Sequence, residues 1–192
     1  MILQKATTQD FELIYKNYMI EQFPATELKS YDEFISLLTD FDKSYHIYWV
    51  KDSDFLVGYI LFYIDDNRNF LWIDYLAVLP DFYSKGYGRC ILDELKNNFS
   101  KYRCIYFEVE KPVEEDPNTV RRVRFYESCG CKKLDCEYYY PNKDGCLPMD
   151  LYALEIYNSS SLKKDILEDI HSAFCALHSQ YPHIESVFAK IN

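Results

Sequence analysis

The stretch "AVLPDFYSKGYGRCIL", Ala77–Leu92, decides how this chain is read, because it changes character halfway. An apolar run ends at Pro80, Gly86 and Gly88 stand either side of Tyr87, and an amphipathic helix then begins, with Ile91, Leu92, Leu95 and Phe99 on one stripe. The whole chain holds only five glycines, so two of them one residue apart mark a demand on the backbone. A strand that enters a helix through such a turn leaves unpaired N–H groups at the helix N-terminus. The helix dipole adds partial positive charge there. Glycine lets an anion approach without a Cβ in the way, and Lys85 and Arg89 add formal charge. Ser84, Lys85, Gly86, Tyr87, Gly88 and Arg89 therefore read as a pyrophosphate cradle.

Two common phosphate motifs fit badly. The pattern G-x-x-x-x-G-K-[ST] is absent, and Ile91 stands where a dinucleotide fingerprint needs its third glycine. The upstream sequence also argues against a parallel nucleotide-binding unit. "SYHIYWVKD", "FLVGYILFYID" and "FLWIDYLAVL" are rich in β-branched and aromatic residues and are separated by the polar turns "DSD" and "DDNRN". They predict an antiparallel meander that follows a short strand, "ILQKA".

Two helices are predicted between that first strand and the meander. Thr7 or Thr8 can cap the first, whose Phe11, Ile14, Tyr15 and Tyr18 recur at helical spacing before Pro24. Ser30 caps the second, with Glu33 three residues on completing a capping box. Beyond the cradle, "CIYFEVE" is predicted as a strand and "PNTVRRVRFYESCG" as a helix stopped by Gly130. "CKKLDCEYYYP" and "LPMDLYALEIY" supply the last strands. The best boundary is "NSSS" at 158–161, which gives a domain over 1–157 and a helical extension over 158–192. Leu162, Ile166, Ile170, Phe174 and Leu177 form the stripe of that extension. It is too short to fold alone, so it packs on the domain or on a partner, a symmetric homodimer being one form of the latter.

Composition bounds the partners. A hydrophobic share of 48% supports a sizeable core, and 19 tyrosines suit core edges and cleft walls. A net charge of −10 argues against nucleic acid and anionic membranes and favours a cationic small substrate. No apolar stretch is long enough to span a bilayer, and the start lacks the basic-then-apolar pattern of a secretory signal. Seven irregularly spaced cysteines fit reduced thiols in a cytoplasm. No metal is expected: there is no paired C-x-x-C set, and His171, His178 and His183 would need ligands from elsewhere.

The order strand, helix, helix, three strands, "LAVLPDFYSKGYGRCIL" and then "FEVE…RFYESCGC" closely resembles the GNAT superfamily of acyl-CoA-dependent N-acyltransferases over about 1–157. Val78, Pro80, Lys85, Gly86, Gly88, Arg89 and Leu92 match the segment with which that family grips the pyrophosphate of coenzyme A, and "FYESCGC" matches a later "LYEKLGF" segment. There are departures. Tyr83 stands where the family usually has Gln or Arg, Cys131 replaces a Phe, and the inserted "KPVEEDPNT" displaces the family's asparagine position, for which Asn118 is the candidate.

The resemblance implies an α/β fold of α+β type, with a mixed, mainly antiparallel sheet flanked by helices. It also implies acetyl-CoA as co-substrate and a primary amine, on a small molecule or a peptide, as acceptor. The amine would attack the thioester directly, with its proton taken by a carboxylate. Backbone N–H groups near Leu76, Ala77 and Val78 would steady the oxyanion, and the pantetheine arm would pair with that strand edge. Tyr126 matches the tyrosine that protonates the departing thiolate, and Glu108 matches the acidic strand position. Glu110 lies two residues on, hence on the same strand face, and Asp74 is a further candidate base. One rival on the same fold is a non-catalytic acyl-CoA sensor, which would keep Ser84 to Arg89 but make no use of Glu108 and Tyr126. Another is a Rossmann-type nucleotide binder, which antiparallel strands before Gly86 would exclude.

Overall fold

The computed structural model describes residues 1–41, 43–156 and 163–191, so the "NSSS" boundary lies outside the described residues. The chain forms two compact units, Met1–Ile64 with Ile73–Ser100 and Asp65–Trp72 with Lys101–Asn192.

In the first unit, β1 (Ile2–Lys5) pairs antiparallel with β2 (Tyr45–Asp52), and β2 pairs antiparallel with β3 (Phe55–Asp65). Next to β3 comes β4 (Phe70–Val78). The antiparallel meander is therefore real, and with it the Rossmann alternative falls. Gly58 faces Val50 but Leu56 faces Lys51, so Val57 is an extra residue on β3. That bulge bends the strand and turns the Val57 carbonyl toward Leu79, whose N–H it accepts at 2.8 Å.

Both helix starts follow the sequence. Thr7 caps α1 (Thr8–Ile14) and Ser30 caps α3 (Tyr31–Asp40), each with a reciprocal capping box through Asp10 and Glu33. The first helix runs on through a π turn (Tyr15–Met19) into a short α2 (Ile20–Gln22). Phe11 and Phe34 meet at 5.1 Å between ring centres, and Phe34 meets Tyr75 of β4 at 5.3 Å, which fixes both helices to the strand layer. A 3₁₀ turn (Pro80–Phe82) leads to α4 (Tyr87–Asn98), which buries Ile91, Leu92 and Leu95 from its apolar stripe.

In the second unit, Phe70–Trp72 of β4 lies beside β5 (Cys104–Glu110), and β5 pairs antiparallel with β8 (Gly145–Glu155). Helix α5 (Pro117–Ser128) starts on an Asp116 cap with Pro117 at its first position. It ends before Gly130, whose φ of +84° is the left-handed conformation that stops a helix. The predicted strand "CKKLDCEYYYP" is in fact two strands, β6 (Lys132–Lys133) and β7 (Tyr138–Asn142). Both pair with β8, at Tyr152–Ala153 and at Gly145–Met149 respectively. The polar "LDCE" between them carries the chain from one stretch of β8 to the other, which a count of β-formers does not reveal.

The C-terminal helices α6 (Lys163–Leu177) and α7 (Ile184–Phe188) pack within this second unit. Ile170, Phe174 and Leu177 of the expected stripe are buried. The anchor is ionic. Asp169 is fully buried and accepts from Arg68 Nε at 2.7 Å, from the Arg103 guanidinium, and from the Tyr106 hydroxyl at 2.9 Å. A buried carboxylate costs several kcal/mol unless it is compensated in this way, with charges and donors together. Ser172 donates to Asp65 at 2.5 Å, and the His183 ring meets the carbonyls of Asn142 and Gly145, each at 2.9 Å. With mainly antiparallel pairing, flanking helices and C-terminal helices, the fold is the one expected.

Candidate active site

The glycine turn in the first unit has the geometry that an anion cradle needs. Ser84 and Gly86 both adopt the left-handed conformation, at φ +60° and +86°. Gly86 is the N-cap of α4, and no side chain caps that helix. Its first-turn N–H groups are thus not consumed by the usual Ser, Thr or Asp oxygen. Ser84, Lys85, Gly86 and Arg89 are exposed and Gly88 half-buried, so a ligand can reach the turn. Lys85 folds back, donating to the Asp81 carbonyl at 2.7 Å, and Tyr87 donates to Asp52 at 2.9 Å. These bonds fix the turn from both sides.

Tyr83 has a partner that no motif announced. Gln22 Nε2 lies within 3.1 Å of the Tyr83 oxygen and donates to the Val78 carbonyl at 2.9 Å, while its Oε1 accepts from Tyr59 at 2.8 Å. One amide thereby ties α2, β3, the end of β4 and the turn together. Position 83 has become a strut. Leu76 and Val78 are half-exposed and Ala77 is buried. Ala77 is the close neighbour of Gly58: a Cβ at that glycine would lie 2.4 Å from the Ala77 oxygen. A glycine inside a strand is the signal for such a backbone approach.

Asp74 lies in the same unit and is sealed. Its carboxylate meets Lys29 Nζ at 2.6 Å and the Tyr45 hydroxyl at 2.6 Å, and the Lys29 and Asp74 side chains are 0% and 2% exposed. Burial and this carboxylate push the Tyr45 phenol well above its ordinary value, so it stays a donor. Lys29 also donates its N–H to Tyr75, whose hydroxyl donates to the Glu27 carbonyl at 2.6 Å. The cluster pins the segment before α3 onto β4.

In the second unit, Glu108 is half-buried on β5. The Trp72 indole N–H reaches both its oxygens at 3.1 Å, and the Tyr138 hydroxyl donates to Oε1 at 2.8 Å. The indole and the phenol are both neutral donors, and between them they orient the carboxylate. The holders are themselves held by the C-terminal helix. Tyr138 packs edge-on against Phe174 at 5.9 Å, and Trp72 packs on Tyr106 at 5.6 Å, whose hydroxyl bonds Asp169. Glu110, on the same strand face, pairs with Arg122 at 2.5 Å. The Tyr126 ring lies 4.6 Å from Phe107, and burial pushes its phenol up to about 12. Asn118 is exposed in the first turn of α5, its N–H donating to Asp116. The sequence offered Glu108 and the glycine turn as candidates, and it did not mark Trp72, Tyr138, Gln22 or Lys29, which hold the candidate residues and their strands in place.

Comparison with known proteins agrees with the fold. Residues 9–131 match the Acetyltransferase (GNAT) family. The "Putative acetyltransferase YjbC" of Bacillus subtilis (strain 168) is 34% identical over 107 residues, which are 56% of this chain and 50% of the relative. The match thus spans about half the length of that curated relative. A solved structure, the "Putative acetyltransferase from GNAT family from Bacteroides thetaiotaomicron", aligns at a TM-score of 0.77 and 26% identity, covering 91% of this chain and 97% of that one. The ribosomal-protein-S18-alanine N-acetyltransferase of Escherichia coli shares the fold at a TM-score of 0.61 and 20% identity, over 84% and 97% of the two chains. With the family model matching residues 9–131, more than half of the chain, this chain belongs to the GNAT acetyltransferase family.

Proposed function

We propose that this protein is an acetyl-CoA-dependent N-acetyltransferase acting on a primary amine by direct attack on the thioester. The observation that carries the reading is the uncapped N-terminus of α4 behind two left-handed residues, a shape suited to the diphosphate of coenzyme A. Ser84, Lys85, Gly86, Tyr87, Gly88 and Arg89 hold the diphosphate. The strand end Leu76, Ala77 and Val78 takes the pantetheine arm and supplies N–H groups to the oxyanion.

Glu108 is the base we favour, because it is half-exposed and oriented by Trp72 and Tyr138, whereas Asp74 is sealed from water against Lys29. A carboxylate oriented by an indole and a phenol suits an incoming ammonium group and then its proton. Tyr126 is a phenol with a raised pKa, so its hydroxyl carries a proton throughout the ordinary pH range and can hydrogen-bond the departing thiolate. A basic limb below pH 10 in the rate profile would therefore belong to another group. We place the acceptor among cationic amines, small or peptidic, in keeping with the net charge of −10. We assign 1–157 as the catalytic domain and 158–192 as an extension that steadies Glu108 through Phe174 and Asp169. A cytoplasmic location follows from the same reading.

The decisive experiment pairs calorimetry with turnover. Gly86→Val should weaken coenzyme A binding at least tenfold, about 1.4 kcal/mol, because a β-branched residue resists the left-handed conformation. Wild type should release free coenzyme A when given acetyl-CoA and a panel of amines. Tight binding with no turnover on any amine would favour the sensor reading; unchanged affinity in a folded Gly86→Val protein would remove the cradle assignment.

A further inference from the structure

The C-terminal helices bring together three side chains that the acyl-transfer reading leaves unused. His171 and Cys175 are four residues apart on α6 and so share a helix face, and Glu185 reaches them from α7. His171 Nε2 lies 3.3 Å and 3.4 Å from the two Glu185 oxygens and 3.9 Å from Cys175 Sγ. The three ligand atoms all lie within 4.8 Å of one another. The imidazole is also steered by Phe188, 4.6 Å away between ring centres.

We propose that His171, Cys175 and Glu185 form a site for one divalent cation of the zinc(II) class. The donor set selects that class. Imidazole, thiolate and carboxylate together suit a borderline-soft ion, whereas calcium and magnesium take oxygen ligands alone. Around a tetrahedral zinc ion, Zn–N of about 2.0 Å and Zn–S of about 2.3 Å set N···S near 3.6 Å and N···O near 3.3 Å. The observed 3.3 Å already meets the second value, and 3.9 Å exceeds the first by a few tenths of an ångström, which a thiol rotation can close. Nε2 is the nitrogen common to both approaches, so it binds and Nδ1 keeps the ring proton. The Cys175 thiol gives its proton to solvent on binding. The exposed side of the cluster leaves water as the fourth ligand. Bound metal would staple α6 to α7, within the segment whose Phe174 and Asp169 support the surroundings of Glu108.

The test uses the full chain, reduced with a non-thiol reductant and freed of metal. Zinc(II) is titrated against a chromophoric chelator, and cobalt(II) serves as a spectroscopic probe. Wild type should bind one equivalent, and cobalt should show a thiolate charge-transfer band in the near ultraviolet. His171→Ala and Cys175→Ser should each weaken zinc at least tenfold, and Cys175→Ser should abolish the cobalt band. Cys90→Ser, at an exposed thiol elsewhere, should change neither. Zinc should raise the melting temperature of wild type but not of His171→Ala, and matched melting temperatures without metal would show that both variants fold. No binding to wild type, or binding equal in wild type and both site variants, would overturn the assignment.

Discussion

Asp74 and Glu108 are each a carboxylate on an inner strand that accepts a phenol, yet they differ in their access to water. In the first unit, Asp74 meets a lysine ammonium at 2.6 Å with both side chains out of water. Its charge is spent on holding the Lys29 segment against β4. In the second unit, Glu108 meets an indole and a phenol and remains half-exposed. Its charge is aimed. The difference teaches that bonding alone does not separate a structural acid from a candidate base; access to water does, Asp74 being sealed and Glu108 half-exposed.

The comparison breaks most sharply under paired amide substitutions. Asp74→Asn strands a buried lysine charge, and breaking one partner of a buried pair costs about 3–5 kcal/mol. A fall of many degrees in melting temperature is expected, with activity lost only through unfolding. Glu108→Gln should leave the melting temperature nearly in place while turnover falls by roughly 10² to 10⁴ if it is the base. Thermal melts beside acetyl-transfer rates check both. A stable Asp74→Asn protein without activity, or a fully active Glu108→Gln protein, would exchange the two roles.

A second expected effect is smaller and lies within the first unit. Gly58→Ala sets a methyl 2.4 Å from the Ala77 oxygen, and that oxygen is backbone, so the strand end itself must shift. Overpacking of this kind costs about 1–3 kcal/mol. Because the shift falls on Ala77 and Val78, coenzyme A affinity should drop along with stability. Calorimetry on the folded variant would show it, and unchanged affinity would detach the strand end from coenzyme binding.

Much of this arrangement was legible in the sequence because its causes are local. The capping boxes at Thr7 and Ser30, the antiparallel meander and the left-handed Gly86 and Gly130 each follow from residues a few positions apart. The contacts that distinguish the two acids are not local. Lys29 stands 45 residues from Asp74, and Trp72 and Tyr138 stand 36 and 30 from Glu108. Nothing in strand periodicity selects one lysine or one tyrosine among 19. Gln22 is hidden for the same reason, as a lone amide at a helix end. Gly58 carried a local signal that went unread, since an interior strand glycine is itself a sign of backbone crowding.

The finest expected effect tests whether Tyr138 positions Glu108 or merely packs beside it. Its hydroxyl donates to Oε1 at 2.8 Å, and donation stabilises the ionised form. Tyr138→Phe keeps the ring against Phe174 and Trp72 but removes that donor. The Glu108 carboxyl then gains its proton at a higher pH than in wild type. The acid limb of kcat/KM should therefore move upward, by up to about one unit, for which 1.36 kcal/mol suffices. Activity should fall most at the acidic end and approach wild type on the plateau above the limb. Trp72→Phe should move the limb in the same direction, since it removes the indole N–H that reaches both oxygens. A purely structural role predicts a different pattern: a lower melting temperature, a uniform loss of rate and an acid limb that stays where it was. The two outcomes separate at a single pH below the limb, where a positioning role makes Tyr138→Phe slower than wild type by a factor that vanishes on the plateau.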